Sequence, residues 1–439
     1  MAGVRILAVP AERELLDLPW ELPLEDWPGD VLVALPRGIS RHTVRFVRIS
    51  RHVYAVKELP EHLAIREYRM LRDLQRIDVP AVSAAGVIAG RTTRTGEPLE
   101  SVLLTRHLQF ALPYRALFSR TLRQETTLRL VDALVALLVR LHLTGFFWGD
   151  CSLSNVLFRR DAGAFAAYLV DAETGTTHEH LSRGQREYDI DLARTNIFGE
   201  LSDLESGGLL DESIDPLAVA DLVAARYGSL WAELTDAEEF DDTQMYRVDA
   251  RIRRLNELGF DVAELDIVTD VDGRTVRIEP KVVDPGHHTR RLLRLTGLDV
   301  EENQARRLLN DLDSYRAATD QQGEDEEIVA HQWVTEVFEP VVRAVPRELR
   351  GKLEPAEVFH EVLLHRWYLS EQAGRDIGIQ RAVDSYVHDV LPAKPDEQAV
   401  LGRRARPPQD PSGTPGPDTA GEDLDSTQEF RLTLADLAG

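Results

Sequence analysis

The sequence predicts an α+β protein whose two parts differ in their patterns of apolar residues. Short apolar runs separated by Gly- and Ser-containing turns fill much of the first hundred residues and indicate strands. Leucines recurring at three- and four-residue steps over residues 130–141 then indicate a long helix. Beyond residue 208 helical patterns dominate, apart from one candidate hairpin. These patterns favour a bilobal first domain followed by a mostly helical second domain.

Composition divides the 439 residues into four segments. Residues 1–29 are acidic and carry Pro-Trp and Trp-Pro pairs, which we interpret as a strap laid over the surface. Residues 30–208 form the first domain, and residues 209–392 form the second. From residue 393 onward Pro, Gly, Asp and Ser accumulate, and this composition predicts a disordered tail up to residue 439.

The first lobe is predicted to be one antiparallel sheet with a helix packed on it. Alternating and β-branched runs predict strands at residues 31–35, 43–49, 52–56, 85–89 and 99–106. Pro60 suits the first turn of a helix that runs to about Arg76.

The second domain is predicted to contain one β-hairpin among its helices. Residues 263–270 return as residues 274–283, with Asp272-Gly273 at the tip as a type I′ turn signal. Helical periodicity predicts helices at residues 326–344, 355–373 and 376–390.

Charge and cysteine content exclude several classes of function. The net charge of −24 repels phosphate backbones and anionic lipid, so we expect no nucleic-acid partner. No apolar run reaches the roughly 18 residues that a membrane span requires. Cys151 is the single cysteine, which rules out an intramolecular disulfide. The sequence therefore predicts a cytoplasmic protein without a membrane span.

A polar constellation follows the long helix. Asp150 stands in the run Gly-Phe-Phe-Trp-Gly-Asp, Asn155 comes five residues later, and a further strand ends at Asp171. Phosphoryl transfer to a hydroxyl requires a carboxylate that takes the proton, together with oxygen ligands for Mg²⁺ beside the phosphates. These three side chains offer such groups.

This pattern resembles the superfamily of protein kinases and small-molecule kinases, and the resemblance covers residues 30–205. Trp148-Gly149-Asp150 is similar to the H-G-D of aminoglycoside and lipopolysaccharide kinases. The resemblance implies a kinase-like fold with ATP and Mg²⁺ as cofactors. It also implies that Asp150 is the catalytic base and that Asn155 and Asp171 are metal ligands.

Tyr54-Ala55-Val56-Lys57 resembles the kinase strand whose lysine contacts the α- and β-phosphates. Lys57 is one of only four lysines in the chain, which makes its presence at this position informative. The resemblance implies that Lys57 binds ATP and pairs with Glu67, with Glu61 as the alternative partner. A solvent-facing glutamate is the other interpretation of Glu67.

Three further positions depart from the kinase pattern or only partly match it. No G-x-G-x-x-G precedes the lysine, and only Gly38 offers a tight turn to cover the nucleotide. Asp191 matches the aspartate that braces the catalytic loop, with Asp189 as the alternative; either is also favoured simply by the helix dipole. Glu173 follows Asp171 where kinases have glycine, as a second metal ligand or as a loop acid.

The whole arrangement most resembles an actinobacterial family in which a lipopolysaccharide-kinase-like domain precedes a domain of unknown function. Residues 302–312 and 365–371 resemble that second domain. The sequence therefore predicts an ATP-dependent phosphotransferase acting on a hydroxyl of a small molecule or sugar. The alternative is a pseudokinase or nucleotide-binding scaffold whose residues 209–392 bind a partner protein; the missing glycine loop favours it.

Overall fold

The computed structural model describes most of the chain. The described residues are 5–8, 13–33, 35, 42–50, 52–118, 124–235, 238–241, 250, 261–269, 275–283 and 286–398. Within them, sheets and helices segregate into a sheet-rich N-terminal region and a mostly helical C-terminal region. The predicted α+β class is confirmed.

The first lobe is built on a five-stranded sheet that is antiparallel throughout. Its strands, in chain order, are β1 (Arg5–Ala8), β2 (Val44–Ile49), β3 (His52–Leu59), β4 (Ala84–Ala89) and β5 (Ser101–Arg106). Helix α1 (Glu61–Arg76) starts directly after Pro60. Its buried side chains recur on one face and pack against β4 and β5. The predicted sheet and its helix are therefore present.

Both outer edges of the sheet differ from the prediction. The described residues of the predicted strand 31–35 form no strand; Leu32 makes a single bridge to Val47. The side chains of Val31 and Leu32 pack against the small core that contains Trp20 and Trp27. At the opposite edge, β1 pairs with β4 although no strand was predicted there.

The N-terminal segment lies against the outer face of the sheet. Trp20 and Trp27 are buried with Leu24 in a small core shared with sheet residues. The indole Nε1 of Trp20 donates to the carbonyl of Leu15 at 2.7 Å. The buried guanidinium of Arg91 donates to the carbonyl of Trp20 at 3.0 Å, which ties this segment to the sheet.

The second lobe is mainly helical. It comprises β6 (Ala111–Pro113), α2 (Tyr114–Leu117), α3 (Gln124–Leu143), β7 (Phe146–Phe147), β8 (Val156–Asp161), β9 (Ala164–Leu169), β10 (Thr176–Thr177), α4 (Arg183–Ser206) and α5 (Pro216–Thr235). Ser182 and Gln185 form a capping box that begins α4. The buried side chains of α5 belong to the same core as those of α3. The predicted boundary at residue 208 stays a prediction, and this core continues to Leu234.

The C-terminal region has its own core. Its elements are β11 (Glu238–Asp241), β12 (Asp261–Thr269), β13 (Thr275–Val283), α6 (His287–Thr296), α7 (Glu302–Ala318), α8 (Glu326–Trp333), α9 (Glu339–Ala344), α10 (Pro355–Ala373) and α11 (Ile379–Ser385). Strands β12 and β13 form the expected hairpin, while its predicted turn lies outside the described residues. Trp333, Phe338 and Phe359 meet at the centre of the core.

The packed structure extends beyond residue 393, where the tail was predicted to begin. Lys394 and Glu397 are buried. Their charges are compensated, because Lys394 pairs with Glu361 at 3.1 Å and Glu397 pairs with Arg160 at 2.6 Å. The prediction of disorder is therefore wrong for residues 394–398. Residues 399–439 lie outside the described residues. None of the helices in the described ranges is long and apolar enough to cross a membrane.

Candidate functional site

A glycine turn directs the chain from α3 into the loop of residues 148–155. Gly145 has φ +77°, and a Cβ at this position would lie 2.0 Å from the carbonyl oxygen of His178. The positive φ and the close backbone approach both require glycine. The loop therefore leaves the helix along one fixed path.

Asp189 on α4 holds the start of this loop. Its carboxylate accepts the backbone N–H groups of Trp148 and Gly149, each at 2.7 Å, and lies 3.2 Å from His142 Nε2. Asp189 is fully buried, whereas Asp191 is exposed. Two residues along a helix turn the side chain by about 200°, so Asp191 points away from the loop. Asp189, the alternative residue, makes the hydrogen bonds that brace the loop. The prediction that Asp191 braces the loop is wrong.

Two further side chains of α4 hold the rest of the loop, and neither was predicted. Glu200 accepts the N–H groups of Leu153 at 2.7 Å and Ser154 at 2.9 Å. Asn196 donates to the carbonyl of Cys151 at 3.0 Å. Positions seven and eleven residues beyond Asp189 fall on the same helix face. That spacing of polar residues was the available signal in the sequence.

The loop brings the predicted base next to one predicted metal ligand. Asn155 Nδ2 donates to the backbone carbonyl of Asp150 at 3.0 Å and lies 3.4 Å from its Oδ2. The amide of Val170 donates to the carbonyl of Asn155 at 3.0 Å, just before Asp171. The indole of Trp148 donates to the carbonyl of Asp171 at 3.0 Å. These hydrogen bonds hold the segments that carry Asp150, Asn155 and Asp171 next to one another.

Lys57 joins the two lobes at this network. Its Nζ lies 3.0 Å from Glu67, 2.8 Å from Asp171 and 3.1 Å from Glu173. The expected pairing of Lys57 with Glu67 is thus present in the structure. The alternative partner, Glu61, instead pairs with Arg5 at the sheet edge.

Three carboxylates around one ammonium give the site an excess of negative charge. Burial lowers the pKa of Lys57, but the nearby charges of Glu67 and Asp171 outweigh burial and raise it. Burial and the charge of Asp171 raise the pKa of Glu67, although Lys57 opposes them. Oxygens of Glu67, Asp171 and Glu173 all lie within 4.8 Å of one another. A divalent cation would offset this charge, and carboxylate oxygens suit it as ligands.

Glu173 points into the site instead of outward from its loop. Besides Lys57, its carboxylate contacts His42 Nε2 at 3.0 Å, and its own N–H donates to Asp171 Oδ1 at 2.9 Å. His42 lies two residues before the start of β2. Gly38, the predicted nucleotide-covering glycine, lies outside the described residues. Glu173 therefore links Lys57 to the segment just before β2.

Two family models match the chain. Residues 41–203 match the lipopolysaccharide kinase (Kdo/WaaP) family. The first domain is kinase-like. Residues 229–391 match a domain of unknown function, DUF4032. The two matches confirm the predicted resemblance of the first domain to lipopolysaccharide kinases and of the second to a domain of unknown function. The kinase family match also supports a kinase-like phosphotransferase.

The similar solved structures include WaaP in complex with acyl carrier protein, at 15% sequence identity and a TM-score of 0.34. The alignment covers 58% of this chain and 99% of that chain. No curated protein matches the sequence. The kinase-like character of the first domain rests on the family match and the site geometry.

Proposed function

We propose that this kinase-like domain binds ATP with Mg²⁺ and transfers the γ-phosphoryl group to a hydroxyl of a small molecule or sugar. The observation that carries the proposal is the 2.8 Å contact between Lys57 Nζ and Asp171 Oδ2. This contact joins residues 114 positions apart, and it supports the proposed roles of Lys57 in binding phosphate and of Asp171 in binding the metal. Kinases need both groups at one place.

The side chains present fit a magnesium ion. Asp171 and Asn155 would hold it, because carboxylate and amide oxygens are the ligands that Mg²⁺ prefers. Bound Mg²⁺ would offset the negative charge that develops on the phosphates. Lys57 would contact the phosphates as a compact charge, and Glu67 would orient Lys57. Gly38 is proposed to lie in the turn that covers the nucleotide.

Asp150 is proposed to act as the general base. Asn155 donates to its backbone carbonyl, and Asp189 accepts the N–H of the preceding residue, Gly149. These two hydrogen bonds fix the backbone from which the Asp150 carboxylate extends. Asp150 would accept the proton of the acceptor hydroxyl as its oxygen attacks the γ-phosphorus, and the bond from the γ-phosphorus to the β,γ-bridging oxygen would break to release ADP. Asp189 then supports the loop and is not itself placed to take a proton.

A nucleotide-binding scaffold is the second candidate function. Glu173 engages the third N–H of Lys57, which a phosphate would otherwise use, and this contact favours a weak or inactive nucleotide site. Leu364, Trp367 and Tyr368 are exposed at helical spacing on α10 and would suit a protein partner of the second domain. In this alternative, Lys57 and Asp171 would serve nucleotide sensing without transfer.

A thermal-shift titration tests nucleotide binding. Mg-ATP should stabilise the wild-type chain by RT ln(1 + [L]/Kd), about 2.7 kcal/mol at a hundredfold excess over Kd. Asp171→Asn should lose most of the magnesium-dependent part of this stabilisation, because an amide is a poorer ligand than a carboxylate.

The matched control is Asp221→Asn. Asp221 is exposed on α5, where it pairs with Arg194 of α4, and it lies outside the site. This control should keep the full magnesium-dependent stabilisation. An unchanged wild-type melting curve at millimolar Mg-ATP would contradict nucleotide binding and leave only a scaffold without nucleotide.

A further inference from the structure

The two proposed metal ligands stand at the base of one β-hairpin. Strand β8 follows Asn155 directly, and β9 ends two residues before Asp171. The strands pair from Val156–Leu169 at the base to Asp161–Ala164 at the tip. Each strand has six residues, so the tip lies about 20 Å from the base. A displacement of this hairpin would move both metal ligands together.

The tip of the hairpin is held by the second domain. Asp161 Oδ1 accepts the backbone N–H of Gln304 at 2.8 Å, and its Oδ2 accepts Asn303 Nδ2 at 2.9 Å. These residues lie in the first turn of α7, where backbone N–H groups lack partners within the helix. Asp161 therefore caps a helix of the second domain although it belongs to the first.

Buried contacts on either side of Asp161 join the same surfaces. The N–H of Ala162 donates to Glu357 Oε2 at 2.9 Å, and Gln304 Nε2 reaches the same oxygen at 2.9 Å. Arg159 pairs with Glu301 at 2.8 Å. These groups are largely removed from water, and breaking one partner of a buried ion pair leaves an uncompensated charge. The tip is therefore attached to both α7 and α10.

We infer that Asp161 is a positioning residue through which the second domain fixes Asn155 and Asp171 at the ends of the hairpin. This inference rests on the proposed function for the role of those two ligands. A hairpin of two strands is only marginally stable alone, and β6 pairs with just one side of β8. The base of the hairpin is also held by hydrogen bonds of Leu169 with Pro80 and Val82, so the attachment to the second domain restrains the tip, and it gives the DUF4032 match a role in the kinase-like site.

The first test is hydrogen exchange on the 439-residue chain, which needs no nucleotide. Asp161→Asn replaces one of the two carboxyl oxygens that accept hydrogen bonds from α7, and the milder Asn303→Ala removes one hydrogen bond to Asp161. In both variants the amides of residues 153–157 and 168–172 should exchange about tenfold faster, as expected for loss of one hydrogen bond. Faster exchange confined to α7, with the hairpin base unchanged, would overturn the inference.

The matched control is Asp311→Asn, another partly buried aspartate whose carboxylate accepts the indole N–H of Trp333 at 2.8 Å. It lies on α7 but makes no hydrogen bond to the hairpin in the described structure. In this variant the amides at the base of the hairpin, residues 153–157 and 168–172, should exchange at the wild-type rate. Equal acceleration in this control would mean general loosening of the second domain and would overturn the positioning role.

The second test compares ATP affinity with Mg²⁺ and with a chelator. Asp161→Asn should weaken the magnesium-dependent affinity about tenfold, as loss of support behind metal ligands does, and leave metal-free ATP affinity unchanged. Wild-type affinity in both conditions would overturn the inference. Absence of binding by the wild type would instead contradict the proposed function, and the exchange experiment alone would then decide the positioning role.

Discussion

Lys57 has three N–H donors, and in the structure three carboxylates surround its Nζ. Glu67 is almost completely buried, and Asp171 is the proposed metal ligand. A phosphate that binds Lys57 would therefore displace Glu173. The charge of Glu173 also repels phosphate across a partly desolvated site.

We expect Glu173→Gln to strengthen metal-free ATP binding about tenfold, because it removes one negative charge worth about 1–2 kcal/mol near the phosphates. Isothermal titration in the presence of a chelator measures this affinity. Glu187→Gln is the control, because that carboxylate pairs with Arg183 on the exposed side of α4. If Glu173 is instead a second metal ligand, the variant would weaken Mg-ATP binding, and the prediction fails.

Asp150→Asn separates catalysis from binding. The substitution is nearly isosteric, so the fold and the stabilisation by Mg-ATP should stay close to wild type. A general base contributes roughly 10²–10⁴-fold to rate, and we expect turnover to fall at least about tenfold. The measurement is phosphate release from ATP, which reports slow hydrolysis when no acceptor is present.

Asp191→Asn is the control for Asp150→Asn, because Asp191 is exposed and lies on the face of α4 that points away from the loop. Its turnover should equal that of the wild type. Wild-type turnover in Asp150→Asn would show that Asp150 is not the base. Turnover below detection in the wild type itself would favour the scaffold alternative.

At the scale of elements, α4 organises the site. One face of the helix carries Asp189, Asn196 and Glu200, and all three hydrogen-bond to the loop of residues 148–155. The helix also packs against α5, whose Tyr227 hydroxyl lies 2.7 Å from Nδ1 of His142 on α3. The helix therefore connects the loop to the core of the lower lobe.

A second helix contact predicts how stability depends on pH. Glu302, at the start of α7, accepts hydrogen bonds from the amides of His288 and Thr289 in the first turn of α6, at 3.0 and 3.1 Å. It thus caps a helix that has no side-chain cap of its own. Burial raises the pKa of Glu302, but the hydrogen bonds from His288 and Thr289 outweigh burial and lower this pKa to about 2.

Because the folded-state pKa lies below the unfolded value, the stabilisation is present above that unfolded value and is lost as the pH falls toward 2. Between about pH 5 and about pH 3, this group alone should cost the wild type about 2 kcal/mol of unfolding free energy. Denaturant unfolding at several pH values measures the loss. Glu302→Gln should lack this component, while the exposed Glu339→Gln should retain it. Identical acid dependence in wild type and Glu302→Gln would contradict the prediction.

At the scale of the whole molecule, the two larger hydrophobic cores of the described residues meet at a polar surface. The first core runs from the sheet through α5, and the second surrounds Trp333. Their contact around Asp161 consists of charged and amide groups that are buried and paired. Such an interface depends on every partner being present, so substitutions there should affect both domains.

Local patterns in the sequence determined much of this protein. The bounds of α1 and α10, the hairpin of β12 and β13, and the loop that joins Asp150 to Asn155 all follow from periodicity, turn residues and spacing within short segments. Lys57 was recognisable because its strand and the scarcity of lysine marked it. These features depend on residues close together in the chain, and a local pattern is sufficient to predict them.

The tertiary structure alone decided which side chains support the site. The choice of Asp189 over Asp191 depends on the face of α4 that packs against the loop. The contact of Glu173 with Lys57 spans 116 positions, and that of Asp161 with Gln304 spans 143. Composition and periodicity carry no information on such pairs, because a charged residue looks the same in sequence whether it faces solvent or a partner brought near by packing.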